Sequence, residues 1–125
     1  MNILPEGRSL ELSQELLQGA IDIQVHAGPH IFSSPRRVDP FQAAEQARDA
    51  GMRAIVYMDV FEMSNGTAWL VNRVVDDFQT FGGLILNTVY GGMNPRAVKT
   101  ALYYGEGAKF VSFGAHSTYF QAMRE

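Results

Sequence analysis

Short runs of β-branched and aromatic residues alternate along the chain with stretches whose apolar residues recur at helical spacing, and glycines mark the changeovers. Leu12, Leu16 and Leu17 form the first helical face, with Ser9 placed to cap that helix and Gly19 to stop it. Residues 20–26 alternate as a strand does. Ala27-Gly28-Pro29-His30 breaks it, and a Ser- and Pro-rich loop runs to Val38. Asp39-Pro40 opens the next helix: Asp39 caps, Pro40 sits where a missing N–H costs nothing, and Gln42 stands at the capping-box position. Phe41, Ala44 and Ala47 line its face and Gly51 ends it. Residues 53–58 are almost continuously apolar, as in a strand covered on both faces.

The pattern repeats twice more. Residues 63–67 turn into a helix on which Leu70, Val71, Val74, Val75 and Phe78 share a face, and Gly82-Gly83 is expected to stop it. Residues 84–89 then form the third strand. Asn94-Pro95 repeats the cap-plus-proline device ahead of Ala97, Val98, Ala101 and Leu102, and Gly105 and Gly107 close that helix. Residues 109–113 form the fourth strand, and Phe110, Phe113, Tyr119 and Phe120 are expected in the core. Four strand-plus-helix units of about thirty residues each imply parallel strands joined by right-handed crossovers. The class is α/β, either an open doubly wound sheet or part of a (β/α) barrel. In both, ligands bind where the strands end, which points to residues 24–30, 58–62, 87–94 and 114–118.

Composition narrows the function. A chain of 125 residues, 46% hydrophobic and 18% charged, forms one small core rather than a charge-extended polymer. A complete (β/α)₈ barrel needs about 200–250 residues. The net charge of −3 offers no basic footprint for nucleic acid or anionic membranes. Zero cysteines exclude a disulfide scaffold, a thiolate metal site and a cysteine nucleophile. No apolar run approaches the roughly 20 residues of a membrane span. The first seven residues lack the pattern of a signal peptide. A soluble, cytoplasmic protein is expected.

All three histidines, His26, His30 and His116, fall in the strand-end loops. Imidazoles bind divalent metals and carboxylates complete such sites, so His26, Asp59 and His116 would draw a metal site from three strand ends. Local hydrogen bonding in loops is the alternative. Asp22, inside a strand, either acts chemically or braces its neighbouring loop. Asp59 stands at a strand exit, where a catalytic role is more natural. Arg36 and Arg37 are either a substrate clamp for a carboxylate or phosphate, or a solvated pair. Asn87 and His30 are candidate substrate contacts in the same loops. Gly91-Gly92 before Asn94-Pro95 leaves backbone N–H groups at a helix start, an anion-binding geometry that a tight turn explains equally.

Residues 20–29 resemble the first strand of the amidohydrolase superfamily, whose hallmark there is Asp-x-His-x-His. More narrowly, His26 to Pro29, Ala50 to Val56 and Gly91 to Val98 are together similar to a group of uncharacterised barrel proteins in or near that superfamily. The likeness spans roughly residues 16 to 115. It implies the front (β/α)₄ half of a TIM-type barrel and metal-dependent hydrolysis of an amide or ester-type bond. It also implies a divalent ion (zinc, manganese or iron) held by His26, with Gln24 where the family has its first histidine. Asp59 or His116 would assist the chemistry, and Arg36 or Arg37 would orient a small-molecule substrate. The chain departs from the pattern at Gln24, Met58 and Val60, each replacing a polar or ligating group. A non-catalytic half-barrel that binds a partner chain is therefore the second reading, and an unrelated open-sheet binding module the third. On either half-barrel reading, another copy of the chain, a different partner or further sequence of the same chain is expected to complete the barrel.

Overall fold

A computed structural model describes residues 6–31, 33–119 and 123. The elements follow in the order α1 (Glu6–Leu17), β1 (Ile21–Val25), α2 (Pro40–Asp49), β2 (Ala54–Tyr57), α3 (Asn65–Val71), β3 (Gln79–Leu86), α4 (Pro95–Tyr103) and β4 (Phe110–Phe113). The strands pair in sequence order, β1-β2-β3-β4, each pair parallel. The sheet curls into a half-barrel flanked by the four helices, as the alternation of elements implies.

Alternation along the strands separates two cores. On the helix side, Ile55 packs with Ala44 and Ala47 of α2 and with Val71 and Val75, while Leu84 packs with Ala101 and Ala108. Ile55, Val71 and Leu84 are each 2% exposed or less, and burial of such side chains contributes about 1.5–3 kcal/mol apiece. The small alanines let α2 and α4 lie close on the sheet. On the inner side, Val56, Met58, Val60 and Ile85 pack with Phe81 and Phe110. Both cap-plus-proline starts form. Asp39 Oδ1 accepts from the Gln42 N–H at 2.8 Å while the Gln42 side chain accepts from the Asp39 N–H, and Asn94 Oδ1 accepts from the Arg96 N–H at 3.0 Å.

The third unit differs from the sequence reading. Gly82 and Gly83 do not stop a helix; they lie inside β3, which begins at Gln79. The α3 helix ends at Val71, and Asp77 adopts a left-handed φ of 57° that no helix continues through. Val75 and Phe78 keep their contacts to the core from an irregular segment, which is why their spacing looked helical. Asn72 sets the start of the strand: its Oδ1 accepts from the Thr80 N–H at 2.7 Å and its Nδ2 donates to the Thr80 carbonyl at 2.8 Å. The first helix is already formed at Glu6, so Ser9 lies within it rather than capping it.

Two aromatic residues also depart from expectation. Ile21 and Ile23 on β1 are more than half exposed, and so are Phe113 and Tyr119, which were expected in the core. Ile21, Ile23 and Phe113 lie on β1 and β4, which each have a strand neighbour on one side only, and Tyr119 lies beyond the last strand. Phe120 lies outside the described residues. Asp22 is exposed, and its Oδ1 accepts from the Gln24 N–H at 2.9 Å within an irregularity of β1, a local bracing contact. No helix among the described residues is long and apolar enough to cross a membrane.

Candidate functional site

The strand-end loops gather at one end of the sheet, as parallel strands require. The peptide bond between Gly28 and Pro29 is cis, and the Gly28 N–H donates to the Val38 carbonyl at 2.7 Å, folding the first loop back on itself. His26, half-buried, places its Nδ1 at 2.7 Å from the Met58 carbonyl oxygen. A carbonyl only accepts, so Nδ1 is assigned the proton of the neutral ring and Nε2 carries the free lone pair. Metal-binding histidines are oriented by this kind of contact. His30 repeats the arrangement, with Nδ1 at 2.9 Å from the Ser34 carbonyl and its ring tilted against Phe61 at 5.4 Å. Its Nε2 is buried without a hydrogen-bond partner.

Asp59, 7% exposed, lies just beyond the end of β2. Its Oδ1 accepts from the Phe61 N–H at 2.7 Å and its Oδ2 from the Tyr57 hydroxyl at 3.2 Å. Burial, and next the Asp59 carboxylate, push the Tyr57 hydroxyl above the ordinary tyrosine range, so it remains a donor. Tyr57 was not among the sequence candidates, although it stands two residues before Asp59. Phe61 was missed as well.

Pro29, His30, Ile31, Asp59, Phe61 and Glu62 enclose a cleft of about 270 Å³ between the first and second loops. On the other side of Phe61, a second cleft of about 260 Å³ is lined by Asn87, Thr88, Val89, His116 and Ser117. His116 is exposed there. Asn87 is 1% exposed and donates from Nδ2 to the Val60 carbonyl at 2.9 Å, so it ties the third loop to the second. Arg36 and Arg37 are exposed and line neither cleft, and Gln24 is exposed on the edge strand.

The structure thus pairs His30 with Asp59, and Asn87 with His116. Among the described residues, no three His, Asp or Glu side chains come together as a metal-holding group, His26, Asp59 and His116 included. One oriented imidazole, His26, fits a divalent ion as a single ligand. No curated protein and no solved structure matches the chain. The four strands, three histidines and both clefts all fall within residues 19–125, which match one family model, and the chain accordingly belongs to the family of unknown function DUF6282.

Proposed function

We propose that the chain forms the front half of an amidohydrolase-type, divalent-metal-dependent hydrolase that cleaves an amide or ester-type bond in a small molecule. A second four-stranded half completes the barrel. The observation that carries this reading is the His26 imidazole, held through Nδ1 by the Met58 carbonyl with Nε2 left free as a ligand. A divalent ion, when bound, would supply an activated water and polarise the scissile carbonyl. Asp59, fixed by the Phe61 N–H and the Tyr57 hydroxyl, keeps lone pairs with which to accept a proton. His116 and Asn87 border the neighbouring cleft, and Arg36 and Arg37 stand in solvent, where they can meet an incoming anionic group.

The test pairs metal analysis with light scattering on protein supplied with zinc, manganese or iron. The expected result is an assembly larger than one chain that carries bound metal, with the metal lost in His26→Ala. Metal content indifferent to His26→Ala, or a monodisperse monomer, overturns the reading. A second reading, a non-catalytic half-barrel that binds a partner chain, is favoured by Met58 and Val60, apolar and buried at 1% and 8% where β2 meets the site. It predicts the same assembly with no bound ion.

A further inference from the structure

Helix α1 lies almost bare on its own chain. Residues 7–16 are all exposed, Leu10, Leu12 and Leu16 among them, and a helix of twelve residues is marginal alone in water. The later helices show where such a helix belongs. α3 leads into β3 and packs Val71 on Ile55 of β2, and α4 leads into β4 and packs Ala101 on Leu84 of β3. Each lies over the strand before the one it enters. α1 enters β1, which has no strand before it in the sheet. The opposite edge lacks the converse, a helix over β4. Val111 and Phe113 stand level with Leu84 and Leu86, on the helix-facing side, and Phe113 is 78% exposed. With Leu86, Met93, Pro95 and Val98 it lines an open apolar groove of about 350 Å³. Leu102, one turn beyond Val98 on α4, is exposed as well. The two surfaces also differ in charge. α1 carries Glu6, Glu11 and Glu15 against Arg8, with Glu11 and Glu15 alongside Leu12 and Leu16, whereas α4 carries Arg96 and Lys99 and no acidic residue. The one ion pair among the described residues is elsewhere, between Arg48 and Asp49.

From these features we infer that the half-barrel closes on a second copy of itself, with α1 of each copy seated in the groove along β4 and α4 of the other. This closure rests on the half-barrel part of the proposed function and names its second half. β1 of one copy continues the parallel sheet beyond β4 of its partner. Two such contacts, related by a two-fold axis, give eight strands, the number at which side chains fill a barrel. Leu12 and Leu16 cover Phe113 and Val98 much as Val71 covers Ile55, and Glu11 and Glu15 meet Arg96 and Lys99. The closure also sets the loop after β4, with His116, beside the loop after β1 of the other copy, with His26. Each strand-end site there draws on both chains.

Paired charge reversals test the contact, followed by analytical ultracentrifugation of the whole chain without added metal. Glu11, Glu15, Arg96 and Lys99 are all exposed, so the variants are expected to keep the wild-type circular dichroism. Wild type is expected to be a dimer. Glu11→Lys with Glu15→Lys, and separately Arg96→Glu with Lys99→Glu, should each raise the dimer dissociation constant roughly tenfold or more, because like charges then meet at both contacts. An equimolar mixture of the two variants should dimerise as wild type does, since both contacts of the mixed dimer join opposite charges. A wild-type monomer, an open-ended series of larger assemblies, a dimer indifferent to both reversals, or a mixture that stays apart each overturns the inference. A dimer that ignores the reversals leaves the hydrolase reading to its own test, whereas a rescued dimer that binds no metal upholds the closure and overturns that reading. A wild-type monomer overturns both.

Discussion

Gly82 lies directly beneath Asn65. A β-carbon built on the strand glycine would stand 2.6 Å from the Asn65 Cα and 2.8 Å from its backbone nitrogen. Main chain cannot rotate away as a side chain can, so this contact fixes how closely the start of α3 rests on β3. Gly82→Ala should lower the unfolding free energy by about 1–3 kcal/mol or more, the range of overpacking a tight core, read as a drop in the urea midpoint. An unchanged midpoint would mean that the helix can lift from the strand.

Asn87 was a candidate substrate contact, but its amide is engaged within the protein. Loss of its donation to the Val60 carbonyl leaves a buried acceptor unmet. Asn87→Ala should therefore cost about 1–3 kcal/mol of stability. If stability held while ligand affinity fell, the substrate role would return.

Tyr57 makes stability fall at alkaline pH. Its hydroxyl is pushed upward in the folded state, so the folded chain holds that proton more tightly than the unfolded chain does. The stabilisation is complete below about pH 10, where the unfolded tyrosine is still protonated, and is lost as the pH climbs toward the folded-state value. The tyrosinate absorbance of wild type minus that of Tyr57→Phe isolates this group. Ionisation of Tyr57 near pH 10 in the folded protein would contradict the burial argument.

Ile21 pairs in register with Ala54, on the same side of the sheet as Val56, and is 51% exposed. If a second half closes the barrel, Ile21→Lys buries an unpaired charge in that closure while costing the half-barrel itself little. Light scattering should show the assembly weakened. An assembly that tolerates lysine there meets through some other surface.

Much of this architecture was legible in the residue pattern. The Asp39-Pro40 and Asn94-Pro95 caps, the parallel order of strands and the placement of histidines in strand-end loops all follow from local chemistry. The third unit was misread for a physical reason. Glycine serves equally as a helix stop and as the thin point of a strand under a crossing helix, and only the three-dimensional approach of Asn65 separates the two. The cleft was half legible. Asp59 and His30 stood out as polar residues in loops, whereas Phe61, the wall between both clefts, became visible only once the loops were packed. Tyr57, too, joined Asp59 only through a hydrogen bond made once the strand end was folded.

The irregularity in β1 has a consequence for His26. Asp22 is level with Ile55, but Val25 is level with Tyr57, so β1 spends one residue more than β2 over the same length. Continued by one step, that register sets His26 beside Met58, whose side chain packs on the inner face. Without the extra residue His26 would fall level with Asp59, and parity would turn its ring toward the helices. Which way this strand end faces, and so whether the hollow side of the half-barrel sees an imidazole at all, is decided by a single inserted position near Gln24.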